Sequence, residues 1–181
     1  MKRIIITGGP SSGKTSIING LAKSGFEVSH EKARLVIKEQ LEINLETELV
    51  PWKNVLKFSE AVVKEILADA HFRQNDVVFF DRGVPDVLGY LNHAGLNYTP
   101  EYFLDSAKYM SYSKEVFFLP SWEAIYENDA ERKESYEDAK LISERIREAY
   151  ENCGCGFEII EVPKKSIADR IRFILSAINK G

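Results

Sequence analysis

With 181 residues, 24 Lys and Arg against 28 Asp and Glu, and a net charge of −4, the chain has the size of one domain whose core needs no disulfide or metal to hold it. The acidic balance speaks against a general affinity for DNA or for anionic lipid, while a local basic pocket for one phosphorylated ligand is compatible with it. The apolar run after Met1-Lys2-Arg3 is too short for a signal peptide, and no later segment approaches the roughly 20 apolar residues of a membrane span, so a soluble cytoplasmic protein is expected.

Taken in chain order, residues 3–7 form a short β-branched run that reads as a buried strand. A glycine-rich loop follows, and then a helix from about Lys14 to Lys23, stopped by Ser24-Gly25. Phe26 to Ser29 is a second, short strand. Helical periodicity runs from about Glu31 to Ile43, Pro51 marks a boundary, and Trp52 to Gln74 reads as a long helix with Val55, Phe58, Val62, Ile66 and Ala70 on one face. Val77 to Phe80 is a continuous apolar strand ending in Asp81. Helical patches cover 84–94 and 100–110, and Glu115 to Leu119 is a fourth strand stopped by Pro120. The polar stretch 121–135 leads into a helix from about Tyr136 to Glu151, whose apolar face is Ala139, Ile142, Ile146 and Ala149. Phe157 to Ile160 is a fifth strand, and Ile167 to Ile178 is a last amphipathic helix.

No repeat, low-complexity tract or linker interrupts this series, so residues 1–181 read as a single domain. Alternating strands and helices predict an α/β fold, a parallel sheet covered on both faces. Ligands in such folds bind beyond the carboxyl ends of the strands. The polar residues that follow strands are therefore the ones to watch: 8–15, 30–34, 81–86, 120 onward and 163–166. The run Cys153-Gly154-Cys155-Gly156 offers too few ligands for a structural zinc, and His30, His71 and His93 do not repeat at ligand spacing. It reads as a glycine-rich turn between a helix and a strand.

Gly8-Gly9-Pro10-Ser11-Ser12-Gly13-Lys14-Thr15 fits G-x-x-x-x-G-K-[ST] in full, between an apolar strand and a helix, where the motif must sit. Its glycines let backbone N–H groups turn inward around a phosphate, and the following helix adds its positive dipole end. Lys14 can neutralise β/γ-phosphate oxygens, the Thr15 hydroxyl is a hard oxygen ligand suited to Mg²⁺, and Ser16 extends the cradle. Asp81, at the end of an apolar strand, is the partner acid that would hold Mg²⁺ directly or through water.

With the loop, His30-Glu31-Lys32-Ala33-Arg34 and Phe80-Asp81-Arg82-Gly83-Val84-Pro85-Asp86, the sequence resembles a family of small P-loop proteins described as AAA-type predicted ATPases. That family is similar to the ribosylnicotinamide-kinase domain and, more distantly, to deoxynucleoside and nucleoside-monophosphate kinases. The resemblance covers nearly the whole chain, including Asn128-Asp129-Ala130-Glu131-Arg132. It implies a P-loop three-layer sandwich with a five-stranded parallel sheet in the order 2-3-1-4-5. It does not imply an AAA motor, for only one helix follows the fifth strand in this sequence.

The resemblance also implies roles. Glu31 stands where nucleoside kinases place the carboxylate that receives the acceptor hydroxyl's proton; alternatively it only favours the start of a helix. Arg34, three residues on, pairs with Glu31 or binds substrate. Arg82 is a ligand for acceptor or phosphate. Asp86 is either a ligand for a sugar hydroxyl or the cap of the helix that starts there. The stretch 121–135 corresponds to a lid, with Arg132 and Lys133 as cations for the transferring phosphoryl and Arg145 and Arg147 on the next helix. Val162 to Ser166 is a candidate adenine site, and the acceptor pocket is expected from helices 31–45, 52–74 and 84–94.

Two functions follow. The first is ATP- and Mg²⁺-dependent phosphotransfer to a small, nucleoside-like hydroxyl acceptor, with plain ATP hydrolysis as its nearest variant. The second is a nucleotide-binding switch or adaptor for ATP or GTP with slow hydrolysis. No Asn-Lys-x-Asp guanine motif occurs in the chain.

Overall fold

The computed structural model describes residues 2–72, 75–126 and 135–178. Five strands, β1 (Lys2–Gly8), β2 (Glu27–Ser29), β3 (Val77–Asp81), β4 (Glu115–Leu119) and β5 (Glu158–Glu161), form one sheet in the order β2-β3-β1-β4-β5. Every neighbouring pair is parallel. The helices between them are α1 (Lys14–Lys23), α2 (Lys32–Ile43), α3 (Val55–Phe72), α4 (Val84–His93), α5 (Glu101–Tyr109), α6 (Tyr136–Asn152) and α7 (Ile167–Ile178). This is the α/β sandwich and strand order that the sequence resemblance implies.

The middle of the sheet is apolar on both sides because both sides are covered. Along β1 the side chains alternate. Ile4 and Ile6 pack with Ile17, Ile18 and Leu21 of α1 and Ile174 of α7 on one face. Ile5 points the other way and joins Val116, Phe118, Ile142, Ile146 and Tyr150 beneath α6. A larger cluster extends that second face, where Val78 and Phe80 of β3 meet Val62, Val63, Ile66, Leu88 and Phe103 from α3, α4 and α5. Helices α1 and α7 thus form one outer layer and α3 to α6 the other.

Several element ends differ from the sequence reading, β1 by one residue at each end and β2 by one at its start. Helix α3 starts at Val55 rather than Trp52, because Pro51 to Lys53 turn and the Asn54 side chain accepts the Lys57 N–H at 3.0 Å, which caps the helix there. Trp52 lies outside it, 64% exposed. Strand β5 spans Glu158–Glu161, one residue later than predicted. The Cys153 to Gly156 run is a turn between α6 and β5 with both thiols free.

One contact ties the second layer together. A Cβ placed on Gly89 of α4 would lie 2.6 Å from the Ile146 Cα and 2.9 Å from its N, so the two helix backbones touch there with no side chain between them. Backbone cannot yield as a flexible side chain can. Gly89→Ala is expected to lower the melting temperature by several degrees, the consequence of about 1–3 kcal/mol of overpacking in a domain of this size. Thermal denaturation followed by circular dichroism measures it, and an unchanged midpoint would mean that α4 and α6 have room to part.

Candidate active site

The register sets the site. Ile6 pairs with Asp81 and Gly8 with Leu119, so the glycine-rich loop leaves the sheet between the ends of β3 and β4. Gly8 has φ +139°, and a Cβ there would stand 2.3 Å from the Leu119 carbonyl oxygen. Only glycine lets the chain leave the strand at that point. The loop then returns to α1, whose first residue is Lys14.

Lys14 is buried and points back across the loop. Its Nζ donates to the Gly8 carbonyl (2.9 Å), the Gly9 carbonyl (2.7 Å) and the Ser12 hydroxyl (3.3 Å). Burial and the charge of Arg82 push its pKa down to about 7 against the pull of Asp81, Glu31 and Asp86. Thr15 and Ser16 follow it in the first turn, both exposed.

Asp81 is buried at the end of β3, and its Oδ1 has no hydrogen-bond partner. Burial, reinforced by the charge of Glu31, raises its carboxyl to about 6, although Lys14 and Arg82 pull it down. A buried carboxylate oxygen without a donor is costly unless a cation meets it. The donor set of Asp81 and the Thr15 hydroxyl is all hard oxygen and fits Mg²⁺, which takes few protein ligands and keeps waters and phosphates for the rest. Among the described residues, no group of three or more His, Cys, Asp or Glu side chains could hold a metal by itself.

Arg82 follows with φ +76°, a left-handed conformation that costs a non-glycine residue about 1–3 kcal/mol. Its side chain shows what holds it there. Nε donates to Glu31 Oε1 at 2.8 Å, and Nη1 donates to Asp86 Oδ1 at 3.0 Å and to the Gly8 carbonyl at 3.2 Å. The guanidinium also lies over the Tyr90 ring, 5.3 Å from its centroid. One arginine thus joins the start of α2, the phosphate loop and α4.

Glu31 occupies the position before α2, but its carboxylate makes no cap hydrogen bond to that helix. It accepts instead from Arg82 and forms an ion pair with Arg34, whose Nε lies 3.3 Å from Oε2. Burial raises its pKa, yet the charges of Arg82 and Lys14, the Arg82 hydrogen bond and Arg34 outweigh that and hold it at about 2.

Asp86 has no spare capacity. Its Oδ1 accepts from Thr7 (2.6 Å) and Arg82, and its Oδ2 accepts from the Gly83 N–H (2.9 Å) and the Tyr150 hydroxyl (2.6 Å). It is 1% exposed. Of the two roles expected for it, this arrangement fits the capping one: the carboxylate closes the first turn of α4 and ties β1 to α6.

Glu31, Arg34, Asp81 and Arg82 are among the polar residues that line a cavity of about 390 Å³ between α2, α3 and α4. Its body is apolar, with Ile37, Val55, Phe58, Val62, Ile66 and Val87 as walls.

Other expected residues lie elsewhere. Arg145 pairs with Glu148 (2.7 Å) on the outside of α6, and Arg147 pairs with Glu161 (3.1 Å) and covers the Phe118 ring. Ser166 caps α7, accepting from the Asp169 N–H. Arg132 and Lys133, with the central part of the lid-like stretch, lie outside the described residues. The sequence reading passed over Thr7 and Tyr150, which hold Asp86, and Arg170, which reaches the loop from α7. Arg170 did leave a signal: it shares the inward stripe of α7 with Ile174, four residues on.

A glycine-rich loop between β1 and α1, beside an acid ending β3 in a sheet of this order, defines a P-loop α/β fold of the nucleoside-kinase kind. Residues 3–170 match the model of a family described as an AAA domain, and the chain belongs to that family. No curated protein matches the sequence. Among solved structures, deoxyadenosine kinase from M. mycoides with its products superposes with a TM-score of 0.68 at 17% identity, covering 99% of this chain and 100% of that one. Thymidylate kinase from Candida albicans gives 0.63 at 15% identity, covering 99% and 91%. NadR in complex with NR gives 0.73 at 16% identity, covering 99% of this chain and 51% of NadR. Among the described residues no helix is long and apolar enough to cross a membrane.

Proposed function

We propose that the protein transfers the γ-phosphoryl group of ATP, with Mg²⁺, to a hydroxyl of a small nucleoside-like acceptor held in the cavity between α2, α3 and α4. The observation that carries this reading is the placement of a paired carboxylate, Glu31 with Arg82, where the phosphate loop meets a half-open, mostly apolar cavity. A protein built only to split ATP would need no such chamber beside its phosphate site.

In this mechanism the backbone N–H groups of Gly9 and of Ser11 to Ser16, with the Lys14 ammonium, cradle the phosphates. Thr15 and Asp81 would hold Mg²⁺, which would offset the negative charge of the phosphates. The acceptor oxygen bonds to the γ-phosphorus as the bond from that phosphorus to the β,γ-bridging oxygen breaks, releasing ADP. The hydroxyl proton passes to Glu31. With its pKa near 2, Glu31 is a weak base, so it acts chiefly by orienting the hydroxyl and takes the proton late, which suits a loose transition state. Arg82 keeps Glu31 ionised and aimed. Arg132 is the candidate cation for the transferring group.

The test is ADP formation with Mg²⁺-ATP, alone and with a pool of nucleosides. Acceleration by the pool supports the kinase reading; slow turnover indifferent to every acceptor would favour the nucleotide-switch alternative. The metal assignment has its own test. Asp81→Asn keeps the side-chain size but weakens Mg²⁺ coordination. Turnover should fall, and a Mg²⁺ titration should restore part of it. A variant with the wild-type Mg²⁺ dependence would leave Asp81 with a structural role only.

A further inference from the structure

Arg170 stands in the first turn of α7, on the layer opposite the acceptor cavity, and is 3% exposed. Its Nη2 donates to the Ser12 carbonyl at 2.9 Å. A Cβ on Gly13 would lie 2.8 Å from its Nη1 and 3.4 Å from the Ile125 Cδ1, so the guanidinium covers the outer side of the loop's last glycine. Gly13 itself has φ +88° and immediately precedes α1 as its N-cap. The Arg170 Nε is buried without an acceptor, and among the described residues no carboxylate pairs with the side chain.

Each of these features is unfavourable by itself. A cation taken out of water wants an anion, and here it has one main-chain carbonyl. A buried N–H wants an acceptor, and Nε has none. The amino end of a helix carries positive dipole, and Arg170 is packed beside that of α1. Apolar packing alone would be met better by leucine or methionine. Negative charge brought into the loop from its other side relieves the first and the third of these penalties, through the field it sets up at the guanidinium and at the amino end of α1.

We propose that Arg170 is a positioning residue for nucleotide binding, holding the Ser12–Gly13 segment in the shape that receives phosphate and adding positive charge from behind the loop. This rests on the reading that the loop binds Mg²⁺-ATP, and it is independent of the acceptor.

The experiment compares wild type, Arg170→Met and Arg170→Lys. The dissociation constant for Mg²⁺-ATP is measured by calorimetry, and the rise in melting temperature on adding Mg²⁺-ATP is measured alongside it. Arg170→Met should weaken binding by roughly tenfold or more, the scale on which displaced binding groups lose effect, and the nucleotide-induced rise in melting temperature should shrink. Lysine keeps the charge but not the planar fork, so Arg170→Lys should fall between the two. A purely structural arginine would instead lower the melting temperature of the free protein and leave the dissociation constant of the folded variants at the wild-type value. That result overturns the proposal, and if the methionine variant does not fold, a wild-type dissociation constant in Arg170→Lys does the same. Failure of the wild type to bind Mg²⁺-ATP overturns this inference and the nucleotide reading together, whereas equal binding by all three proteins overturns this inference alone.

Discussion

Replacing Lys14 by alanine should cut nucleotide turnover by about 10²-fold or more, the loss expected when a preorganised charge contact to the transition state is removed. The lysine is well placed for a large effect. Its ammonium is buried, and hydrogen bonds to Gly8, Gly9 and Ser12 already hold it across the mouth of the loop. Little ordering entropy is left for it to lose when a phosphate arrives. Its removal also leaves Asp81, Glu31 and Asp86 facing Arg82, with Arg34 paired to Glu31. The fold should survive, because the apolar clusters on both faces of the sheet do not use this side chain. The measurement is a coupled assay for ADP beside a far-ultraviolet circular dichroism spectrum. A folded variant with wild-type turnover would remove the phosphate loop from the mechanism.

The second large effect is expected at Glu31. Glu31→Gln should reduce acceptor phosphorylation by about 10²- to 10⁴-fold, the usual range for general acid–base help, with the weak basicity of this carboxylate favouring the lower figure. ATP affinity should stay near the wild-type value, because the loop, Thr15 and Asp81 are the groups proposed to carry the phosphate and metal contacts. A glutamine amide can still accept from Arg82 Nε, but it cannot balance the charges of Arg82 and Arg34 or take a proton. If Glu31 served only to begin α2, the change would cost at most about 1 kcal/mol of stability and no activity. Phosphate transfer to the acceptor, measured beside an ATP titration on the same variant, separates the two. Transfer at the wild-type rate would remove Glu31 as the base. Asp86 is a poor successor, since both of its oxygens are saturated.

Much of this architecture was legible because the signals were local. The Ile4-Ile5-Ile6 and Val77 to Phe80 runs are too apolar for anything but buried strands, and the spacing of Gly8, Gly13, Lys14 and Thr15 carries its own geometry. The strand order came from resemblance, since periodicity says nothing about neighbours in a sheet. The start of α3 was misplaced because Asn54 caps it, a local signal that the hydrophobic period of Val55, Phe58 and Val62 does not register. The partners of Asp86 were illegible for a different reason. Thr7 and Tyr150 are 79 and 64 residues away from it, and only the folded chain brings them together. Arg170 is a similar case, 158 residues from Ser12. A polar residue on an apolar stripe can be noticed in a sequence, but what it touches cannot.

The cavity has a consequence for how such a protein diversifies. The groups proposed to act on phosphate sit on or just beyond the ends of β1, β2 and β3, fixed by the sheet register and by Arg82. The apolar walls of the chamber come largely from α2 and α3, through Ile37, Val55, Phe58, Val62 and Ile66. Exchanging these wall residues changes what the chamber accommodates while the strand ends stay in register. On the proposed reading, new acceptors are therefore open to this scaffold through drift in a few helical side chains, with the proposed phosphate chemistry passed on intact.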